Sequence, residues 1–531
     1  MGASSSTEQV SVEQREAESL ATSTGALTVL QKAYSNLADP LTKTIPITTT
    51  CPLQECFKLS IDLQSCEASL KPENNFLGLL NNLGPSVLDH FFFLSEKEKE
   101  RDGLDWISFL KGYTKCCGRM PTSNSLNNLL KVFGTAIVKS GATTGLQIES
   151  ADAADSKING YLLPADLLML LWMCWAMSWS SRNQQAIKFG LPDVSNLVLS
   201  AVSSCTDGIW DVDNILGSDT QIPVGKLHAW VLKTVPNLPE CLVEFTHSRL
   251  STYASQQDIL ESSSSSNLGS HSIAESNNYL LTPGRAWSIS LTLRSTMRDE
   301  ILKTCFASSI DEVKENLIYR SSLHGKGLNR FWSNVEGYNG PILVLISATS
   351  EDHSWSVGAL THQGFENKEA FYGTSGSLYA ISPAFDHLAS SAGKEKNFVY
   401  SHLHTPGYEA KPKPVGMAFG GSLGNERVFM DEDFSRLTVR HHAYDKTYQS
   451  GSLFPNQGYL PTEAQVLEVE VWGLGGEKIK EAQYLFQKRE QLFTEQRRKI
   501  DLKTFSNWED SPEKMMMDMV SNPNAVRREE R

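Results

Sequence analysis

Ser321, Ser322 and His324 stand together in RSSLHGKG, and Glu351 and His353 follow downstream. A hydroxyl, an imidazole and a carboxylate are the parts of an acyl-transfer triad. The flanking residues argue against one. Neither serine lies in a G-x-S-x-G elbow, which would raise its oxygen clear of a strand end, and no cysteine follows Cys305 to act as a nucleophile here. His402 and His404 would share a strand face as metal ligands, but no third ligand stands near them, and His441 and His442 would point to opposite faces of a strand. GMAFGGSLGNE has the glycines of a phosphate loop, yet it lacks Lys-Ser/Thr and leads into RVFMD, which reads as a strand and not a helix. A Gly-rich hairpin connection is expected instead. No catalytic residue, cofactor or small-molecule substrate is assigned. A hydrolase or antioxidant site near His324 is the alternative enzymatic reading.

An acidic stretch invites a second kind of chemistry. SVLDHFFFLSEKEKERDGLDWISFLKGY runs helix, acidic loop, helix, the order of an EF-hand. With Gly103 at loop position six, Glu98, Glu100 and Asp102 fall at positions one, three and five. Position eight is then Asp105 where an apolar residue belongs, and position twelve is Phe109 where a bidentate Glu is needed. The expectation is a metal-free, EF-hand-like helix pair with no metal ligands. At the N-terminus, MGASSS places Gly2 and Ser6 at the spacing of an N-myristoylation signal. One acyl chain gives only weak, reversible membrane association, and neither a nearby Cys nor a polybasic cluster adds a second anchor.

The elements that would position these groups are clearest between about Leu317 and Gly473. PILVLIS is a continuous β-branched run, expected as a strand buried on both faces. SWSVGAL, SLYAIS, VGMAF and RVFMD follow, each bounded by turn residues. In QVLEVEVW, Leu467, Val469 and Val471 alternate with Glu468 and Glu470, predicting one face on a core and one in water. Such short, punctuated strands indicate a β-sandwich or a strongly curved sheet. AWSISLTLR also alternates, with Trp287, Ile289, Leu291 and Leu293 on one side, which predicts a strand and starts the sandwich near Tyr279.

LIYRSSLHGKG, GPILVLISATSEDHSWSVGA, FYGTSGSLYAISP, VGMAFGG and LEVEVWGL occur in that order. Together they resemble the TLDc domain of oxidation-resistance proteins, in particular the plant-like, myristoylated type with an EF-hand-like half. The resemblance implies a two-sheet β-sandwich with flanking helices. It also implies a role in binding rather than catalysis, namely an interaction with the vacuolar-type proton pump and a link to oxidative stress. The pump itself would place the protein in the cytoplasm, peripheral on a lysosomal or vacuolar membrane.

The remaining chain is read from composition. At 531 residues, two or three domains are expected. Hydrophobic residues at 40% against 21% charged exclude wholesale disorder. A formal net charge of -13 argues against nucleic-acid binding and against strong attraction to anionic lipid. The odd count of nine cysteines, none in the strand-rich stretch, is unlike a secreted disulfide framework and fits a reducing cytosol or nucleus. LLPADLLMLLWMCWAMSW is too short for a membrane span, and Trp172, Trp175 and Trp179 share one helix face, so it is expected as a central buried helix. The fold class is therefore α+β. A flexible N-terminus spans 1–50, a helical EF-hand-like domain 51–250, a Ser-rich linker 251–278 and the TLDc-like sandwich 279–476. A C-terminal helix at 477–503 and a disordered tail at 504–531 complete it.

That last helix carries the partner-binding candidates. Ile479, Phe486, Phe493 and Ile500 recur every seven residues, flanked by Leu485 and Leu492 on an otherwise charged helix. Such a narrow seam fits a groove, either on its own domain or on a partner. KRE and RRK along it raise a third reading, that of a nuclear or nucleolar interaction protein.

Overall fold

The computed structural model describes residues 11–47, 51–59, 74–95, 103–148, 158–182, 189–206, 215–255, 279–307, 310–350, 353–368, 370–391, 396, 398–400, 415–454 and 457–506, with 514, 516, 517 and 520. Gly2, Glu98, Glu100, Asp102, Glu351, His402 and His404 lie outside them, as does the Ser-rich run at 256–278. Helices build the first half: α1 (Val12–Ser23), α2 (Leu27–Leu37), α3 (Pro52–Cys56), α4 (Asn74–Leu94), α5 (Trp106–Cys117), α6 (Thr122–Lys139), α7 (Pro164–Arg182), α8 (Ser195–Cys205), α9 (Val224–Thr234) and α10 (Glu240–Ser255). Among them a small antiparallel sheet joins β1 (Leu146–Ile148), β2 (Ile158–Leu162) and β3 (Ile222–Pro223). The helix α7 is buried nearly all round, as its sequence predicts for a central helix. Two of its tryptophans satisfy their indole N–H groups on loop carbonyls, Trp172 on Pro192 at 3.1 Å and Trp175 on Gly190 at 3.0 Å. Among the described residues no helix is long and apolar enough to cross a membrane.

The expected strand over AWSISLTLR is instead a helix, α11 (Pro283–Ser290). Thr282 accepts the N–H of Arg285 as N-cap and Pro283 opens the first turn, both strong helix-start signals. The apparent alternation arises because Ser288 and Ser290 are as buried as their apolar neighbours and return their hydroxyls to the backbone of Gly284 and Trp287. The helices α12 (Ser295–Cys305) and α13 (Ile310–Glu315) follow, so the sheet begins only at β4 (Leu317–Arg320). Residues 251–255, expected in the linker, are the last turn of α10.

After the short helices α14 (Ser321–His324) and α15 (Leu328–Val335) come β5 (Ile342–Ser350), β6 (His353–Thr361), β7 (Gly376–Ser382), β8 (Asp386–Ala389), β9 (Phe398–Tyr400), β10 (Gly416–Ser422), β11 (Asn425–Asp431), β12 (Arg436–Val439) and β13 (Thr462–Gly473). They pair in one antiparallel path, β8-β7-β6-β5-β13-β12-β11-β10-β9, with β4 added on β13. The path bends so that its two limbs face each other across a core that takes Val344 and Val357 from one limb and Phe419 and Val428 from the other. PILVLIS is buried on both faces, as expected, for a specific reason. Ile342, Val344 and Ile346 point into the sheet's own core, while Leu343 and Leu345 point into the core of the helical half. The last helix, α16 (Glu477–Ser506), follows Gly476.

Candidate functional site

The strand β13 is the frame of the site. Along one edge β5 pairs with it from Gln465 to Gly473; along the other, β12 covers 462–465 and β4 covers 470–472. Between β12 and β4, beyond the Val466 N–H that bonds the Ser435 carbonyl at 2.9 Å, side chains of RSSLHGKG take the place of a paired strand on the edge of β13. Lys326 Nζ donates to the Val466 carbonyl at 2.9 Å, and Ser321 Oγ accepts the Val469 N–H at 2.9 Å. Ser321 in turn donates to Glu468, whose carboxylate also accepts the Ser322 N–H at 2.9 Å. Burial works against the charge of Glu468, but these bonds and the nearby Arg320 guanidinium outweigh it and hold its carboxyl below the ordinary range. His324 stacks on Tyr319, and its Nδ1 accepts the Arg320 N–H at 3.0 Å. The structure thus brings Ser321 and Ser322 to Glu468 and ties His324 to the main chain, with no hydroxyl on its Nδ1. These residues complete the sheet.

The other polar candidates are placed as follows. His442 is buried with its Nδ1 3.5 Å from Asp445, while His441 turns the other way and stacks on Tyr459, the opposite directions expected of them. GMAFGGSLGNE is the β10–β11 hairpin, with Gly424 at φ +84° in its turn. In the acidic stretch, Asp105 caps α5 by accepting the Ser108 N–H at 2.8 Å, and Phe109 is fully buried against Tyr34, Phe91 and Trp106. Gly103, at φ +79°, passes so close to Thr44 and Ile45 that no side chain fits, and Leu104 forms an antiparallel bridge with Ile45. Among the described residues no group of His, Cys, Asp and Glu side chains is placed to hold a metal, and the eight described cysteines are free thiols.

The helix α16 has two different halves. Its root is seated on the loop after α15. Ile479 and Phe486 are half-buried there, and a side chain added at Gly340 or Gly337 would lie 2.7 Å from Ile479 or 2.4 Å from Phe486. Gln483 Nε2 donates to the carbonyls of Asn334 at 2.9 Å and Glu336 at 3.3 Å, satisfying acceptors left open where α15 ends. On the open side of the root Leu485 is 59% exposed, and farther out Leu492 is 52% and Phe493 53% exposed. Of the four seam residues, the structure therefore seats Ile479 and Phe486 on the chain's own domain and leaves Phe493 open; the side chain of Ile500 is outside the described set. Gln483 was not singled out in the sequence, where it reads as one polar residue among many. Its position four residues after Ile479 and three before Phe486 is the only signal that it shares their face.

The strand-rich half of the chain also matches a known family. Residues 292–475 match it. They are a TLDc domain. The TLDc domain thus includes α12, α13 and every strand from β4 to β13, and ends just before α16. Curated proteins gave no match to the chain.

Proposed function

We propose that this chain is a non-catalytic TLDc-type interaction and regulatory protein that binds the vacuolar-type proton pump, is linked to the oxidative-stress response, and docks through the outer half of α16. What supports this reading is the division of α16: Gln483, Ile479 and Phe486 fix its root, while Leu485, Leu492 and Phe493 leave an apolar stripe in water on a helix that is otherwise charged. Acylation of Gly2 would add weak, reversible residence on the cytoplasmic face of a lysosomal or vacuolar membrane. The test is capture of purified pump subunits by the full chain. Leu492→Asp with Phe493→Asp should abolish capture and leave the melting temperature unchanged, since both side chains are open in the free protein. Phe486→Asp should lower the melting temperature instead. Full capture by the double variant would refute docking through this half of the helix.

A further inference from the structure

We propose that the stripe Leu485, Leu492 and Phe493 is also a docking site for a calcium-sensor protein, one that closes an acidic, Met- and Leu-lined groove around a basic amphipathic helix when loaded with Ca²⁺. The inference rests on the reading of α16 as a docking element and adds a regulator that would compete for the same face.

Charge selects this occupant. The chain as a whole carries -13, yet residues 484–499 hold five basic side chains against only Glu490 and Glu495, a local balance of +3. Lys488 and Arg489 fall between Leu485 and Leu492 at helical spacing, so the cations border the apolar stripe directly. A basic amphipathic helix is the target type of an acidic EF-hand groove. It is also the type that lies on anionic lipid. One feature favours the groove: the root of α16, held by Gln483 and Phe486, fixes the helix to a domain whose sequence holds more acidic than basic residues. An enclosing groove can reach an exposed stripe without the rest of the molecule approaching a charged sheet.

The decisive experiment is titration of the full-length protein with calmodulin, with Ca²⁺ or with a chelator, followed by calorimetry. Micromolar or tighter binding is expected with Ca²⁺, weakened at least about tenfold by the chelator. Leu492→Asp with Phe493→Asp should remove it. Lys488→Glu with Arg489→Glu, which keeps the apolar stripe, should weaken it and reduce its salt dependence. Absence of Ca²⁺-dependent binding overturns the proposal, as does binding to vesicles of phosphatidylserine and phosphatidylcholine without binding to calmodulin. Pump capture provides the separate control. If capture depends on Leu492 and Phe493 while calmodulin does not bind, only this inference falls. If calmodulin binds through those residues while capture ignores them, the proposed function falls and this inference stands.

Discussion

His387 is a half-buried imidazole where the helical half meets the TLDc domain. Its ring stacks on Tyr379, its Nε2 is 3.1 Å from Ser377 Oγ, and Lys233 of α9 stands beside Asp386, 3.9 Å away. Burial first, and the Lys233 charge second, push its pKa down from 6.5 to about 4. A folded-state pKa below the unfolded value means that the contribution is fully present above about pH 6.5 and is lost as the pH falls from there toward 4. Melting temperature should decline across that window, and His387→Gln should flatten the decline. An unchanged slope in the variant would assign the acid sensitivity elsewhere. Arg427 makes a different case. Fully buried on β11, it donates to Asp445 at 3.0 Å and to the carbonyls of Gln449 and Gly451, both at 2.6 Å. Burial opposes the charge of Asp445, but bonds from His442 and Thr447 and the guanidinium hold its carboxyl well below the ordinary range. Arg427→Met should therefore cost about 3–5 kcal/mol, because it leaves that carboxylate buried without its cation. Chemical denaturation measures it; a loss below about 1 kcal/mol would mean that the loop rearranges to hydrate Asp445.

At the scale of elements, periodicity was a good guide wherever one side of an element faced water, and it misled where both sides were covered. PILVLIS and the hairpin at GMAFGG were legible because β-branched runs and paired glycines have few other uses. QVLEVEVW was read correctly as a strand, with Val469 and Val471 on the core as expected, but Leu467 and Glu470 depart from the reading. A bulge between Val466 and Glu468 shifts the pairing with β5 and leaves Leu467 49% exposed, whereas Glu470, expected in water, is fully buried because the chain at Leu280 and Leu281 covers its side of the strand. AWSISLTLR failed for the related reason that its serines are buried, so the polar half of the pattern marked no surface. The role of RSSLHGKG was illegible because it depends on a gap between two strands that pair with β13 far along the chain. Ser321→Ala should cost about 1–3 kcal/mol, since the Val469 N–H would then be buried without an acceptor. Ser321→Thr, which keeps the oxygen, should recover part of it. Equal losses from both would point to crowding around β13 and not to the missing hydrogen bond.

The whole molecule is held by an interface that composition could not reveal, because the expected Ser-rich linker suggested two independent units. One limb of the TLDc sheet turns Leu343, Leu345, Leu360, Tyr379, Ile381 and Trp472 into the core of the helical half. Polar contacts fix the register of that packing: Asn196 donates to the Ile381 carbonyl at 2.9 Å, and the Phe385 N–H returns a bond to the Asn196 carbonyl at 3.0 Å. Glu470 fastens the chain where it enters the domain, accepting the N–H groups of Leu280 at 2.9 Å and Leu281 at 3.2 Å and the Trp472 indole at 3.0 Å. Burial raises the pKa of this carboxyl despite those bonds, so protonation would be resisted less here than at an exposed glutamate. A sheet whose outer face is this apolar cannot stand in water alone. Residues 279–531 expressed without the helices should therefore bind a hydrophobic dye and self-associate, and the full chain should unfold in one calorimetric transition with matching calorimetric and van't Hoff enthalpies. Cutting into the interface by Trp472→Ala should cost about 3–5 kcal/mol and split that transition in two, the helical half and the sheet then melting separately. If the wild-type chain already melts in two steps, and the fragment 279–531 is monomeric and binds no dye, the two halves are stable neighbours and the shared core contributes little to either.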